Sequence, residues 1–199
     1  LPSGTCVRQP QTVLDWTVHW MRKGKTMAIL NIIVAPDPRL KLKAEPVDGV
    51  DSDVRKLMDD MLETMHSAPG IGLASVQVGD LRRVIVVDVS DPEDDPDPIC
   101  MANPELVWTS DEEGPHEEGC LSLPDHYAEV VRPESIRVRY LDETGEIRER
   151  DADGMLATCI QHEMDHLDGV LFVDHISSLK RRIILRKLTK AKKQAEVEA

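Results

Sequence analysis

Aromatic side chains are scarce in this sequence. Phe, Trp and Tyr make up 3% of its 199 residues, so aliphatic and methionine side chains have to fill the core. Hydrophobic residues still reach 41%, which is close to the globular average. A chain of this length can build one substantial core but is short for two. We therefore expect a single domain.

Closely paired cysteines and long apolar runs are missing. No C-x-x-C occurs, and the four cysteines are Cys6, Cys100, Cys120 and Cys159. Their spacing indicates neither a disulfide framework nor a zinc knuckle, and it fits a reducing compartment such as the cytoplasm. No apolar run approaches the roughly 20 residues that a membrane span needs, so no membrane partner is predicted.

Positive charge is sparse through most of the chain. The formal net charge is −13. Residues 1–26 carry +3 (four basic, one acidic), residues 180–199 carry +6 (eight basic, two acidic), and residues 27–179 carry the remaining −22. An acidic body argues against binding of DNA, or of nucleic acid in general, through the main surface.

The first 26 residues show no sustained periodicity, and Met27 opens MAILNIIVAPDPRL, which reads like a natural start. We treat residues 1–26 as an N-terminal extension outside the fold, residues 27–180 as the domain, and residues 181–199 as a basic C-terminal helix with a frayed tail. The extension lacks the apolar segment of a secretory signal. Its basic composition would suit an organellar transit peptide, but its single serine favours a cloning or upstream-translation artefact.

Apolar periodicity predicts three helices. The first spans residues 51–67, with Asp51 or Ser52 as its cap and a Pro-Gly pair beyond its end. The second covers residues 153–169, with a cap at its start and a glycine at its end. The third starts at about Ser177, with apolar residues on one face and basic residues on the other.

Three strands are predicted, at residues 82–89, 99–108 and 135–142. The last of them alternates apolar and charged residues, which indicates one solvent-exposed face and therefore an antiparallel or mixed sheet. Residues 91–98, DPEDDPDP, hold too many prolines for a regular element, and their acids lack calcium-loop spacing. We expect a solvated surface loop there.

The second helix carries the motif His-Glu-x-x-His at His162, Glu163 and His166. Two imidazoles four residues apart lie on one helix face and can bind the same metal ion. A carboxylate next to the first histidine can reach the open coordination position and accept a proton there. The motif alone is suggestive, because chance matches occur and a catalytic site needs a third ligand.

Downstream residues do not supply that ligand. A metzincin protease would have a histidine where Phe172 stands, and phenylalanine cannot bind a metal. A thermolysin-like enzyme would use a glutamate on a further helix, but after Asp174 the chain holds only Glu196 and Glu198, close to its end. The upstream segment EEGCLSLP is the better candidate, since Cys120 could offer a thiolate; the alternative is that Cys120 is a buried small hydrophobic residue.

Residues 69–79, PGIGLASVQVG, resemble a phosphate-binding loop but follow a helix and have Ser75 in place of the usual third glycine. We reject a nucleotide site. The glycines instead allow a ligand to approach the backbone closely, and Gln77 can donate an amide hydrogen bond.

In this order and spacing, GIGLASVQ, EGCLS and QHEMDH resemble the three signature motifs of peptide deformylases, over about residues 27–180. The resemblance implies an α+β fold with antiparallel or mixed sheets packed around a central helix that carries the HExxH motif, and a C-terminal helix as in the bacterial type 1 class. It also implies a cytoplasmic hydrolase that removes the formyl group from the N-terminal formyl-methionine of new polypeptides and releases formate.

Roles are carried over from the family by position. The resemblance makes Cys120, His162 and His166 ligands of one divalent metal, with Fe²⁺ expected and Ni²⁺, Co²⁺ or Zn²⁺ able to substitute. Glu163 becomes the general acid/base. The developing oxyanion would be met by the Gln77 side-chain amide, the Leu121 backbone N–H and the metal.

The resemblance also implies a substrate site. The methionine side chain would lie in a pocket formed by Ile71, Met155, Thr158, Cys159 and the ring of His162. The extended peptide would pair with the backbone of Gly72 and of residues 118–121, which include Glu118 and Gly119. The family most often has alanine where this chain has Ser75, and that departure bears on packing more than on chemistry.

Three further expectations concern partners and alternatives. The basic C-terminal segment is most simply the solvated face of a helix, but in this family ribosomal RNA is an attractive partner for it. Glu118 and Asp165 are candidates for orienting the histidines. The competing functions are a metallopeptidase that cleaves internal peptide bonds and a noncatalytic metal-binding or ribosome-associated module, against which the presence of Glu163 counts.

Overall fold

The computed structural model of the chain describes residues 27–91 and 96–198. Three helices and seven strands make up its regular structure. The helices are α1 (Ser52–Ser67), α2 (Gly154–Leu167) and α3 (Ser178–Glu198). The strands are β1 (Gly72–Ala74), β2 (Val84–Val87), β3 (Ile99–Thr109), β4 (Glu113–Gly119), β5 (Tyr127–Pro133), β6 (Ser135–Leu141) and β7 (Ile147–Asp153). Short 3₁₀ helices occur at Pro38–Lys41, Ser75–Val78 and Phe172–Asp174.

The strands form two antiparallel sheets. Five strands pair in the order β1-β2-β3-β6-β7, and β4 pairs only with β5 in a separate hairpin. In the described part of the chain, β1 is therefore an edge strand of the larger sheet, and no strand pairs with its outer side. The α+β class expected from the sequence is confirmed.

Helices α1 and α2 pack on opposite faces of the larger sheet. In β2, Val84 and Val86 face the methionine-rich side of α1, whereas Ile85 and Val87 face α2. Both sets are fully buried, because successive side chains of a strand point to opposite faces. This two-sided burial explains why the strand has no polar alternation. It also places α2, the helix with the HExxH motif, directly against one face of the larger sheet.

Helix α1 begins where the sequence predicts. The Asp51 carboxylate accepts hydrogen bonds from the backbone N–H groups of Asp53 (3.0 Å) and Val54 (2.9 Å), which satisfies two of the free donors at a helix start. Helix α2 starts after Asp153 as expected, but the Asp153 side chain makes no capping hydrogen bond. Asp153 is thus the N-cap residue that the sequence predicts, without a side-chain hydrogen bond to the helix.

Strand β1, the β4–β5 hairpin and strand β7 were not predicted. The β4–β5 hairpin contains glycines and prolines that disfavour a strand in isolation, and pairing of the two segments with each other stabilises it. Strand β7 buries few residues; instead its Asp151 and Glu149 form ion pairs with Arg137 and Arg139, which lie opposite them on β6. Cross-strand pairs of this kind stabilise an exposed sheet face without apolar residues.

Some expectations lie partly or wholly outside the described residues. These are the N-terminal extension at residues 1–26 and half of the predicted loop at residues 91–98, namely residues 92–95. Helix α3 runs across the predicted domain boundary at residue 180 and continues to Glu198. Among the described residues, no helix has the length and apolar character that crossing a bilayer requires.

The turn after α2 depends on Gly169. Its φ of +72° lies in the left-handed region, and a Cβ there would lie 2.6 Å from the carbonyl oxygen of Lys41. We expect Gly169→Ala to lower the free energy of unfolding by about 1 to 3 kcal/mol, because backbone strain and a backbone clash add. Urea unfolding followed by circular dichroism measures the change. Gly49→Ala is the control, since a Cβ at Gly49 meets nothing within 4 Å; equal stability of the two variants would contradict the prediction.

Candidate active site

Helix α2 and the turn after β4 bring three potential metal ligands together. His162 and His166 are buried on one face of α2, with ring centroids 5.0 Å apart. Cys120 directly follows the last residue of β4. A ligand atom of each residue lies within 4.8 Å of the other two, and among the described residues no other such cluster is found. Two imidazoles and one thiolate form a donor set suited to a divalent metal with an open fourth position.

Buried hydrogen bonds orient the ligands. Nδ1 of His162 lies 2.7 Å from Oε2 of Glu118, which leaves Nε2 of this ring available to a metal. Nε2 of His166 lies 3.1 Å from Sγ of Cys120. Burial lowers the pKa of His166 well below its ordinary value, so that ring is neutral and can offer a lone pair.

Arg132 is a site residue that the sequence analysis missed. Its guanidinium donates two hydrogen bonds to Glu118, one of them 3.0 Å long, and forms a 2.9 Å ion pair with Asp165. Burial alone would raise the pKa of Glu118, but the hydrogen bonds from His162 and Arg132 outweigh it and hold this pKa at about 2. Glu118 is therefore an ionised acceptor for His162. Asp165 contacts Arg132 and His175 (2.7 Å), so it acts on the histidine ligands only through Arg132.

Glu163 has the environment of a proton-transfer group. Its carboxylate is buried, and Oε2 has no hydrogen-bond partner among the described residues. Burial raises the pKa of Glu163 to about 7, so both protonation states are accessible near neutral pH. A side chain at Gly72 would clash with Glu163 and with Sγ of Cys159, which explains why glycine lies opposite this carboxylate.

An open cleft of about 520 Å³ leads to these groups. One wall is the segment that enters β1, and the other is the chain between β4 and β5. Its described lining residues are Ala68, Pro69, Gly70, Ile71, Gly72, Gln77, Gly119, Cys120, Leu121, Leu123, Pro124, Asp125, His126, Tyr127, His162 and Glu163. The cleft thus lies between the free edge of β1 and the end of β4, and an extended peptide can fit between them.

The Gln77 amide is held in one orientation. Its Oε1 accepts a hydrogen bond from the Ala74 N–H (2.8 Å), and its Nε2 donates to Oγ of Ser122 (3.1 Å) and lies 3.5 Å from Sγ of Cys120. The NH₂ group therefore points toward the ligand cluster. Ser75, where the first motif departs from its usual form, is fully buried and donates to the Arg82 carbonyl.

The residues expected to bind substrate fall into two groups. Ile71, Gly72 and Gly119 line the cleft, whereas Glu118 and three residues of α2 are not among its lining residues. On α2, Met155 is 59% exposed, the Thr158 hydroxyl donates to the Gly154 carbonyl (3.1 Å), and Sγ of Cys159 donates to the Ile71 carbonyl (3.4 Å). The Thr158 hydroxyl is therefore satisfied within its own helix.

Comparisons of sequence and of structure both find similarity to peptide deformylases. The sequence model of the polypeptide deformylase family matches residues 29–182. A peptide deformylase of Methylocella silvestris is 61% identical over 170 residues, which cover 84% of this chain and 87% of that protein. One of Phenylobacterium zucineum is 53% identical over 169 residues, which cover 85% of this chain and all of that protein. The crystal structure of the Ehrlichia chaffeensis peptide deformylase superposes with a TM-score of 0.81 at 42% identity, covering 84% of this chain and 99% of that one.

The role of Glu118 can be tested through metal affinity. We expect Glu118→Gln to weaken binding of a probe ion, Zn²⁺, by about 10- to 100-fold, because the neutral amide holds the His162 ring and Arg132 less firmly. Competition with a chromophoric chelator measures the dissociation constant. Glu117→Gln is the matched control, since Glu117 is the preceding residue of the same strand and is exposed. Equal zinc affinity of both variants would show that Glu118 does not orient the ligand.

Proposed function

The chain belongs to the peptide deformylase family, whose members remove the formyl group from the N terminus of new polypeptides, and we propose a specific set of residues for this activity. Cys120, His162 and His166 hold one divalent metal, and Glu163 is the general acid/base. The observation that carries the proposal is the buried Glu163 carboxylate, whose Oε2 has no hydrogen-bond partner among the described residues. It lies beside the three-residue cluster and lines a cleft open to a peptide.

The donor set fits the proposed metal. A thiolate and two imidazoles suit Fe²⁺ and also Ni²⁺, Co²⁺ or Zn²⁺, and we propose Fe²⁺ as the resident ion, as the family resemblance implies. When bound, such an ion supplies Lewis-acid chemistry, which polarises the formyl carbonyl and activates water. Elemental analysis of protein purified without oxygen tests the identity of the ion.

Glu163 moves the proton in this proposal. Its free Oε2 accepts the proton of the attacking water, holds it while the formyl carbon becomes tetrahedral, and passes it to the leaving amine nitrogen of methionine. Formate and the free N terminus are then the products. The pKa of about 7 suits this double role, because the carboxyl group must both accept and return a proton.

Two donors are proposed for the developing oxyanion. The Gln77 amide is held by Ala74 and Ser122 with its NH₂ group toward the cluster. Leu121, whose backbone N–H is the second proposed donor, lines the cleft. Preorganised donors stabilise the transition state because they do not need to reorient; loss of one typically costs about 3 kcal/mol.

The peptide is proposed to bind as an added strand. Gly72 and Gly119 offer backbone groups on the two sides of the cleft, and Glu118 lies in β4 directly before Gly119, so pairing does not depend on the later side chains of the substrate. For the methionine side chain we propose the region between Ile71 and the α2 residues Met155, Thr158 and Cys159. The contact between Sγ of Cys159 and the Ile71 carbonyl supports this assignment, because it joins the two surfaces.

We also propose a cytoplasmic location and a ribosome contact through α3, since the substrates are new polypeptides. A transit-peptide role for residues 1–26 would instead indicate an organelle, and cell fractionation distinguishes the two. The outward basic residues of α3 support the ribosome contact: they contrast with the acidic body, while Leu188 holds the helix on the domain.

Glu163 is tested by substitution. We expect Glu163→Gln to reduce formate release from a formyl-Met peptide by at least about 100-fold, because the amide cannot take up and return the proton that the proposal assigns to Glu163, while bound metal stays at the wild-type level. Formate and metal content are measured on the same samples, with the exposed Glu129→Gln as control. Full activity in a metal-loaded Glu163→Gln would refute the assigned role, and cleavage of internal peptide bonds by the wild type would favour a metallopeptidase.

The ribosome contact is tested by neutralising charge on α3. We expect substitution of three exposed basic residues by glutamine to weaken ribosome binding and to reduce its salt dependence by about one unit of slope per lost phosphate contact. The variant combines Arg182→Gln, Lys187→Gln and Lys190→Gln, and its matched control combines Arg55→Gln, Lys56→Gln and Arg139→Gln. Sedimentation with ribosomes at several salt concentrations measures binding, and activity on short formyl-peptides should stay unchanged. Equal sedimentation of the two variants would exclude this contact.

A further inference from the structure

The wall of the cleft that leads into β1 is held from behind by Asp88. Ile71 is 44% exposed and lines the cleft. Its carbonyl accepts a hydrogen bond from the Asp88 N–H (2.8 Å) and a weaker one from Sγ of Cys159 (3.4 Å). Gly70 is held separately, through its N–H and the Met65 carbonyl (2.9 Å) at the end of α1. Two of the contacts that hold this wall therefore come from Asp88 and from the last turn of α1, beside the contact from Cys159 on α2.

His66 connects those two points. It lies in the last turn of α1, and its Nε2 is 3.0 Å from Oδ2 of Asp88. The Asp88 carboxylate is only 4% exposed. Its other oxygen, Oδ1, accepts hydrogen bonds from the Ser90 N–H (3.2 Å) and the Ser90 hydroxyl (2.7 Å). A buried carboxylate needs several such donors, so loss of one loosens the residue that it belongs to.

The mechanism proposed above gives His66 no role, and none of the three signature motifs contains it. Its contact with Asp88 lies behind the cleft wall. An effect of His66 on the reaction would therefore act on how the peptide is held, and only indirectly on proton transfer.

We propose that His66 is a positioning residue for substrate binding: through Asp88 it holds the Ile71 carbonyl, and with it the edge of β1, where an extended formyl-peptide can pair. The inference rests on the proposed function and extends it to a residue behind the site. Because the peptide pairs with this edge in the ground state and in the transition state alike, loss of the support raises KM and leaves kcat unchanged.

Steady-state kinetics on a formyl-Met tripeptide test the proposal. We expect His66→Phe, which keeps a ring but removes the hydrogen bond, to raise KM by about tenfold, the effect of losing one hydrogen bond to a charged group, with kcat within about twofold of wild type. His66→Gln, which places a donor at similar reach, should restore KM. His116→Phe is the control, because His116 is a part-buried histidine on the β4–β5 hairpin without a contact to Asp88.

A second measurement does not depend on catalysis. Hydrogen exchange of the Asp88 amide, which donates to Ile71, should be faster in His66→Phe than in wild type and unchanged in His116→Phe. If His66→Phe does not fold, His66→Asn replaces it, since the shorter side chain removes the bond without a ring to accommodate. Failure of the proposed function would be seen separately, as absence of formate release by the wild type.

Two outcomes would overturn the proposal. One is an unchanged KM and unchanged Asp88 exchange with only a lower melting temperature, which would show a purely structural contact. The other is a fall in kcat at constant KM, which would place the effect of His66 in the chemical step.

Discussion

The candidate site depends on one buried ion pair, between Arg132 and Glu118. Arg132 lies on β5 and Glu118 on β4. Arg132 also forms an ion pair with Asp165 on α2, so the three residues make one network. The network therefore joins the hairpin that ends at Cys120 to the helix that carries both histidines. Buried charges are costly unless they are paired and hydrogen-bonded, so the pair is stable only when hairpin and helix meet in one arrangement. That same arrangement brings the thiolate to the two imidazoles.

The sheet supplies the second constraint. Because α1 and α2 cover its two faces, β2 is buried on both sides and holds β1 against it by backbone pairing. Among the described residues, no strand pairs with the other edge of β1, which lies beside the cleft. Gly72 on this rigid element lies next to Glu163, which is the arrangement needed to place an extended chain near a proton-transfer group.

Hydrogen bonding separates the buried carboxylates that orient neighbouring groups from Glu163, which is proposed to transfer a proton. Oε2 of Glu163 has no partner among the described residues, whereas both carboxylate oxygens of Glu118 and of Asp88 are hydrogen-bonded. Partnered groups hold neighbours in place, and a free buried carboxylate oxygen can take up a proton. The pKa values follow the same division, since burial without a donor raises that of Glu163 and burial with strong donors lowers that of Glu118.

The sequence by itself determined the helices, most of the larger sheet and the His-Glu-x-x-His constellation, because 3.6-residue and two-residue periodicities are local properties of the chain. It also suggested Cys120, by exclusion of downstream ligands and by resemblance. Only the tertiary structure decided what lies around them. Arg132 forms an ion pair with Glu118, Asp165 contacts Arg132 and not the histidine ligands, and His66 contacts Asp88. The α2 residues Met155, Thr158 and Cys159 lie outside the lining of the cleft. The contacts of Arg132 and His162 with Glu118, and of His66 with Asp88, join residues that are 14 to 44 positions apart in the sequence. Two of them also involve the β4–β5 hairpin, which has no apolar alternation. No local pattern records them, because they depend on which strand edges and helix faces meet when the chain packs.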